Sequence, residues 1–353
     1  MDICRENYII KVEEPELYVD NKSRGRSGHM THAMVEFAPG KLIDFNSNCS
    51  AKIHRGHSTF GWVEYRISED GGETFSDIKE LPYSKESLYD GIHTISVEKA
   101  VGCDDGSILA ICLRNDAHAL CQPWDTPMVI KSLDGGNSWS APRELCSYKG
   151  RVYDACYYEG DIYALEFCND GTGNFLGEKE EHLYRIFISH DNGENFDELC
   201  MVPLETCGRG YGAMLFDDSG RLHVYTYNIN DASHPDHIIS KDKGVSWGKA
   251  DVCYLKEGIR NPQVAQMDGI YLLHGRNAGA SGFVLYSSED GQNWDEGTYL
   301  GDKHGGCYYS NNIVLKGEDG NNRLLVQYSE VYGVEHCVNV MHRWITVERK
   351  QNE

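Results

Sequence analysis

The sequence lacks any long apolar run: no stretch of its 353 residues is apolar enough and long enough to cross a membrane. The N-terminal residues Met1–Asn7 lack the basic and apolar regions of a secretory signal. The 13 cysteines, an odd number, include no C-x-x-C pair, which argues against a disulfide framework. Together these absences predict a protein of the cytoplasm, where thiols stay reduced.

Basic residues are also scarce, since 33 Lys and Arg face 55 Asp and Glu and the formal net charge is −22. This balance argues against nucleic acid or a membrane surface as the partner. An anionic ligand would need a local cluster of arginines within an acidic protein. The 40% of hydrophobic residues can supply a substantial core, and large all-β folds often exceed the usual length of one domain. We therefore expect one domain over residues 1–353.

One eight-residue pattern recurs five times, with successive serines 47 to 64 residues apart. An acidic side chain can accept hydrogen bonds from the turn's own N–H groups, glycine supplies a positive φ, and the terminal aromatic ring can pack between neighbouring sheets. The fifth copy has Glu289 at the position of the aspartate. We call these segments the acidic turns: Ser68–Phe75, Ser132–Trp139, Ser189–Phe196, Ser240–Trp247 and Ser287–Trp294.

A second set of tight turns alternates with the first, and apolar alternation flanks each of them. Such turns indicate β-hairpins. Six hairpins with a blade-length repeat predict an all-β, six-bladed β-propeller with four antiparallel strands in each blade. We expect Tyr8–Val12 to close the ring against the last blade, whose remaining strands fall in Val338–Val347. The six hairpin turns are Ala38–Gly40, Asp104–Gly106, Glu159–Asp161, Asp218–Gly220, Asp268–Gly269 and Asp319–Gly320.

With these five acidic turns in register, the chain resembles the sialidase (neuraminidase) superfamily, whose members carry such turns, called Asp-boxes or BNR repeats, on six-bladed propellers. The resemblance implies a glycoside hydrolase with a tyrosine nucleophile, an acid/base carboxylate and arginines that bind the sugar carboxylate. The family's Tyr-Ser stretch is similar to Tyr309-Ser310, which nominates Tyr309 as the nucleophile. Arg276 stands where the family's third arginine falls.

Other positions depart from the family pattern. The segment of blade one that should hold an arginine contains His29 and His32 instead. The loop that should hold the acid/base aspartate reads Lys52–Ser58 and has no carboxylate. Histidine can act as acid or base near neutral pH, so His57 in this loop, or else Asp116, is the predicted acid/base. The predicted substrate-binding residues are Arg276, Arg260, Arg209, Arg114, Tyr211, His32 and Arg55.

Three functions stay open at the level of sequence. The first is a sialidase-like glycoside hydrolase that acts on a sialic acid or another acidic sugar at the propeller axis. The second is a polysaccharide lyase, in which arginine neutralises a uronate carboxylate and His or Tyr removes the α-proton. The third is a glycan-binding propeller without catalysis. No cofactor and no metal are expected, because the histidines lack a ligand spacing and the acidic turns have a structural explanation.

Overall fold

A computed structural model describes residues 1–29, 32–53, 60–117, 125–169, 182–279, 281–306, 309–317, 319–334 and 336–350. The N-terminal segment supplies strands that are used in the first and last blades. Helix α1 begins after Asp20, whose side chain accepts a hydrogen bond from the Ser23 N–H, and ends at Gly25 in the left-handed conformation. The N-terminal elements are β1 (Asp2–Cys4), β2 (Tyr8–Val12), β3 (Glu16–Val19), α1 (Asn21–Arg24) and β4 (Arg26–Ser27).

Six antiparallel sheets follow in chain order, and each is one blade. Blade I has β5 (His32–Ala38), β6 (Lys41–Ser50), β7 (Gly61–Ser68) and β8 (Lys79–Glu80), with β4 added to β6. Helix α2 (Pro82–Asp90) then leads to blade II, which has β9 (His93–Gly102), β10 (Ile108–Asp116), β11 (Met128–Ser132) and β12 (Arg143–Glu144). Blade III has β13 (Gly150–Tyr158), β14 (Asp161–Cys168), β15 (Leu183–Ser189) and β16 (Asp197–Met201).

The second half repeats this plan. Blade IV has β17 (Gly212–Phe216), β18 (Leu222–Thr226), β19 (Asp236–Ser240) and β20 (Asp251–Val252). Blade V has β21 (Arg260–Met267), β22 (Ile270–Arg276), β23 (Phe283–Ser288) and β24 (Thr298–Tyr299). Blade VI has β25 (Ser310–Lys316), β26 (Asn322–Val331) and β27 (Val338–Arg349), completed by β2 and β1 at its outer edge.

The fold is thus the six-bladed β-propeller that the sequence predicts. The first strand of each blade contacts the first strand of the next, from β5 through β9, β13, β17, β21 and β25 back to β5, so these strands surround the axis. Strand β2 pairs antiparallel with β27, with Ile10 opposite Val347, which confirms the predicted closure. Closure covers the edge of β27 that would otherwise expose unpaired N–H and C=O groups.

Each junction between neighbouring blades has its own cluster of buried apolar side chains. The aromatic residue of every acidic turn packs into the cluster shared with the preceding blade, as predicted. In the second turn, for example, the Trp139 indole N–H donates to the Tyr65 hydroxyl, which donates to the Gly136 carbonyl. The aromatic residues of the acidic turns therefore pack each blade against the preceding one.

In the fifth acidic turn, the predicted alignment of the repeat is wrong by one residue. Ser288, not Ser287, donates to Asp290 and accepts from the Gly291 N–H. Asp290 also accepts from the backbone N–H of Asn293. Glu289 was predicted to take the place of the aspartate, but its side chain is exposed and pairs with Arg349. The turn is one residue shorter than the other four, and the shorter Asp side chain reaches the N–H groups that Glu289 does not.

Helix α2 is an element that the sequence analysis did not predict. It starts at Pro82, which suits the first helical turn because proline has no N–H to leave unpaired, and ends at Gly91 with a φ of 70°. Neither helix in the described part of the chain is long and apolar enough to span a membrane.

Candidate functional site at the propeller axis

The inner strands enclose a narrow cavity of about 30 Å³ on the axis, at the end opposite the hairpin turns. Such a volume accommodates a water molecule or a carboxylate group rather than a whole sugar ring. A wider channel of about 270 Å³ opens at the hairpin end. The narrow cavity is lined by His32, Glu98, Lys99, Arg151, Tyr153, Tyr211, Gly212, Asn261, Pro262, Gln263, Tyr309, Ser310 and Asn311.

Tyr309 lies between two guanidinium groups, which come from different blades. Arg151 of β13 sits 5.7 Å from the centre of the Tyr309 ring, and Arg276 at the end of β22 sits 5.3 Å from it. Burial raises the pKa of the Tyr309 hydroxyl above its ordinary value, and the neighbouring Tyr211 adds to this, while both arginines oppose it. Tyr309 is therefore a neutral phenol at neutral pH, held where two positive charges can stabilise an adjacent anion.

A buried ion pair holds Arg151 in this place. Its Nε and Nη2 lie 2.8 Å and 2.6 Å from Glu98 Oε2, and the two side chains are only 3% and 5% exposed. Ser96 donates to the other carboxylate oxygen over 3.0 Å. Burial raises the pKa of Glu98 above its ordinary value, against the opposing effect of Arg151. Glu98 and Arg151 thus share one desolvated network, which fixes the guanidinium against Tyr309.

An amide oxygen, from Asn261, orients Arg276. Its Nε donates to Asn261 Oδ1 over 2.9 Å, and its Nη2 donates to the same oxygen. Arg276 is 7% exposed and Asn261 is 6% exposed. An amide oxygen orients the guanidinium through hydrogen bonds without adding a negative charge.

Tyr211 and Arg260 form the side of the site contributed by blades IV and V. The Arg260 guanidinium lies 5.6 Å from the Tyr211 ring and 5.7 Å from the Tyr227 ring. The rings of Tyr211 and Tyr153 meet edge to face at 5.7 Å. Tyr211 has a φ of 57°, which a bulky residue adopts only at a cost of roughly 1–3 kcal/mol and which is found most often at functional sites.

Lys99 closes the bottom of the narrow cavity. Its ammonium group donates to Gln263 Oε1 at 2.7 Å and Asn311 Oδ1 at 3.1 Å, and pairs with Asp154 Oδ1 at 3.1 Å. These partners belong to three other blades, so one side chain joins four blades at the axis and separates the narrow cavity from the wider channel.

His32 lines the cavity as predicted, but its environment does not suit a charged ligand contact. Burial lowers its pKa to about 3, so the imidazole is neutral at physiological pH. Its Nε2 lies 2.7 Å from Ser329 Oγ, and its carbonyl accepts a hydrogen bond from the Asn311 amide. His274 is likewise fully buried, with a pKa lowered by burial to about 3. Both histidines join neighbouring blades through neutral hydrogen bonds.

The structure brings five of the predicted residues together: Tyr309, Arg276, Arg260, Tyr211 and His32. Of these, Tyr309, Tyr211 and His32 line the narrow cavity, whereas Arg276 and Arg260 lie beside it against the tyrosine rings. Three other predicted residues are not among its lining residues. Arg209 pairs with Asp236 and Glu205 within blade IV. Arg114 faces Asp125 at 3.6 Å and Glu144 at 4.0 Å within blade II. Asp116, at the end of β10, is exposed. Arg55 and His57 lie outside the described residues.

Sequence reasoning missed Glu98, Lys99 and Arg151, because it looked for ligands only at the ends of strands. Glu98 and Lys99 lie inside β9, and Arg151 is the second residue of β13; a charged residue within a predicted inner strand is the signal that could have found them. Burial of a charge is costly unless it is paired, and each of these charges has a partner on the neighbouring blade. Within the described part of the chain, no three His, Cys, Asp or Glu side chains are grouped to hold a metal ion.

No protein-family model and no curated protein matches the chain. Solved structures do match it. A protein of unknown function from Dyadobacter fermentans has a TM-score of 0.69 at 14% identity, over 96% of this chain and 99% of that one. A mutant of the NanB sialidase from Streptococcus pneumoniae has a TM-score of 0.66 at 11% identity, over 94% of this chain and 70% of that one.

Trypanosoma rangeli sialidase, in complex with 2-keto-3-deoxy-D-glycero-D-galacto-2,3-difluoro-nononic acid, has a TM-score of 0.66 at 13% identity. The alignment covers 95% of this chain and 58% of that sialidase. Identities this low carry the fold and not the activity. The chain therefore shares the six-bladed propeller fold of these solved structures.

Proposed function

We propose that the protein is a sialidase-like glycoside hydrolase that binds the carboxylate of an acidic sugar at the axial cavity. The observation that carries this proposal is the placement of Tyr309 between the guanidinium groups of Arg151 and Arg276. The solved structures of similar fold support it, since the Trypanosoma rangeli sialidase is in complex with a difluoro-nononic acid. In this proposal the protein's partner is a carbohydrate.

Local charge supports an anionic ligand in spite of the overall charge of −22. Arg151, Arg260, Arg276 and Lys99 lie at or beside the cavity, whereas the described carboxylates close to it are Glu98 and Asp154. A planar guanidinium matches the two oxygens of a carboxylate. The cavity volume would admit that group, with the sugar ring at the mouth above Tyr309.

Tyr309 would act as the nucleophile in this scheme. Its oxygen bonds to the anomeric carbon while the glycosidic bond breaks, the acid/base gives a proton to the leaving oxygen, and solvent takes the phenol proton. Water later displaces the tyrosine and releases the sugar. A neutral phenol avoids repulsion by the substrate's carboxylate, and the adjacent arginines stabilise the negative charge that develops as the proton leaves. The acid/base remains a prediction: it is either Asp116, which is exposed at the end of β10, or His57, which lies outside the described residues.

One observation favours a lyase as the second candidate. Among the described residues, the two carboxylates near the axis are held by cations, Glu98 by Arg151 and Asp154 by Lys99, so neither is placed as a base for Tyr309. A lyase needs no such carboxylate. An arginine would neutralise the uronate carboxylate, and a neutral histidine would accept the α-proton. The glycosidic oxygen would leave with a proton, and a carbon–carbon double bond would form.

The test is release of fluorophore from an aryl sialoside, with Tyr309→Phe as the inactive variant. Tyr158→Phe is the matched control, because Tyr158 stacks on Phe216 at the hairpin end, away from the cavity. Release by the wild type and the control, with at least a 100-fold loss in Tyr309→Phe, supports the hydrolase. An ultraviolet-absorbing product from a polyuronate identifies a lyase. Binding of an acidic sugar without product leaves a glycan-binding propeller, and no binding overturns the proposal.

A further inference from the structure

The structure assigns Asn261 as the positioning residue of Arg276, fixing the plane of its guanidinium through an acceptor that carries no charge of its own. The inference rests on the proposed function, in which Arg276 meets the sugar carboxylate. Asn261 Oδ1 accepts from both Nε and Nη2 of Arg276, and both side chains are more than 90% buried. Two hydrogen bonds to one oxygen restrict rotation of the guanidinium about its stem.

The backbone at Asn261 is built to aim this side chain. Asn261 has a φ of 57° and follows Arg260 at the point where β21 shifts register against β22. Arg260 pairs with Arg276, yet Gln263 pairs with His274, so β21 carries one extra residue there. A β-bulge of this kind redirects side chains beside active sites, and asparagine tolerates the left-handed conformation better than most residues.

Gly275 on the facing strand makes room for the bulge. A Cβ atom on Gly275 would lie 2.8 Å from the Asn261 carbonyl oxygen and 2.9 Å from that of Arg260. Backbone atoms cannot move away as a flexible side chain can, so only glycine fits opposite the bulge. Glycine, bulge and asparagine therefore form one arrangement next to Arg276.

The other non-glycine residues with a positive φ, apart from Tyr211, lie in turns or connections. Glu159, Asn192, Lys243 and Asp268 are in hairpin or acidic turns, and His336 is in the connection between β26 and β27. Tyr211 and Asn261 stand at the starts of inner strands and line the narrow cavity. Unfavourable backbone geometry that is not needed for a turn is typical of sites that hold side chains in place.

Two substitutions separate the geometry from the charge. Asn261→Gly keeps the backbone conformation accessible but removes the amide oxygen. Asn261→Asp keeps an acceptor of the same shape and adds a negative charge beside Arg276. Asn192→Gly is the matched control. Asn192 also has a positive φ, of 54°, and lies in the third acidic turn at the other end of the propeller, where it donates to Asp105 of a hairpin turn.

The first measurement needs no ligand: the ¹⁵N–¹H signal of the Arg276 Nε–H group, identified by its disappearance in Arg276→Lys. We expect slow exchange of this proton with water in the wild type, Asn261→Asp and Asn192→Gly, and fast exchange in Asn261→Gly. Slow exchange that persists in Asn261→Gly would overturn the inference, because Arg276 would then be held by other groups.

The second measurement is calorimetric binding of N-acetylneuraminate and glucuronate. A hydrogen bond to a charged group corresponds to roughly a tenfold change in affinity, which we expect to lose in Asn261→Gly. Asn261→Asp should lose at least as much affinity, although Arg276 stays in place, because of the added negative charge. A merely structural role of Asn261 would not produce this loss. Unchanged affinity in Asn261→Asp would refute the charge argument. If the wild type binds neither sugar, the proposed function fails, while the exchange measurement still decides whether Asn261 holds Arg276.

Discussion

Glu98→Gln should destabilise the protein severely, because it would leave the Arg151 guanidinium buried without its carboxylate. Both side chains are at most 5% exposed, and the guanidinium meets one carboxylate oxygen at 2.6 Å and 2.8 Å. Removing one partner from a buried ion pair costs about 3–5 kcal/mol. Urea denaturation followed by the fluorescence of the six tryptophans would measure the loss of unfolding free energy.

The exposed pair of Lys11 and Glu348 supplies the control, since its side chains are 45% and 55% exposed. Glu348→Gln should cost much less than Glu98→Gln, because solvent screens an exposed pair. The double variant Glu98→Gln/Arg151→Met should recover part of the loss, because no unpaired charge remains in the interior. A loss below about 1 kcal/mol in Glu98→Gln, equal to that of the control, would refute the reasoning by showing that Arg151 is well solvated.

Three further substitutions test other parts of the structure. Burial raises the pKa of Glu166 to about 8, so between pH 5 and pH 8 the folded protein keeps a proton that the unfolded chain releases. The unfolding free energy of the wild type, measured by urea denaturation, should therefore fall by roughly 3–5 kcal/mol over this range. An equal fall in Glu166→Gln would contradict this. Asp290→Ala should lower the melting temperature more than Glu289→Ala, because Asp290 accepts the hydrogen bonds of the fifth acidic turn; equal melting temperatures would restore the original alignment. Ile10→Ala should cost about 2–4 kcal/mol in urea denaturation, since Ile10 is 1% exposed in the strand that closes the ring, and a negligible effect would mean that closure adds little.

The sequence was sufficient to predict the propeller, because the repeat depends on local chemistry. Serine, aspartate and glycine form each acidic turn within a few residues, and each hairpin turn likewise depends on its own glycine. The same dependence explains the error at the fifth turn, where Ser287 and Ser288 offered two alignments. The hydrogen bonds of Asp290, which no pattern distinguishes from Glu289, decide between them.

The site was predicted only in part, because it depends on contacts between distant blades. Tyr309 and Arg276 were found through the resemblance, and the structure places them together. Arg209 looked equivalent in the sequence, but the structure pairs it with two carboxylates of its own blade. Glu98 and Arg151 were overlooked because only the closed ring shows that two strand interiors meet at the axis.

The central claim is that the arginines around Tyr309 bind the carboxylate of an acidic sugar. A crystal soaked with a sialic acid or a uronate tests this most directly. We expect the sugar carboxylate within hydrogen-bonding distance of the Arg276 guanidinium, beside the Tyr309 ring and next to Arg151 or Arg260. A sugar bound elsewhere with its carboxylate away from these residues, or a cavity that stays empty at saturating sugar, would contradict it.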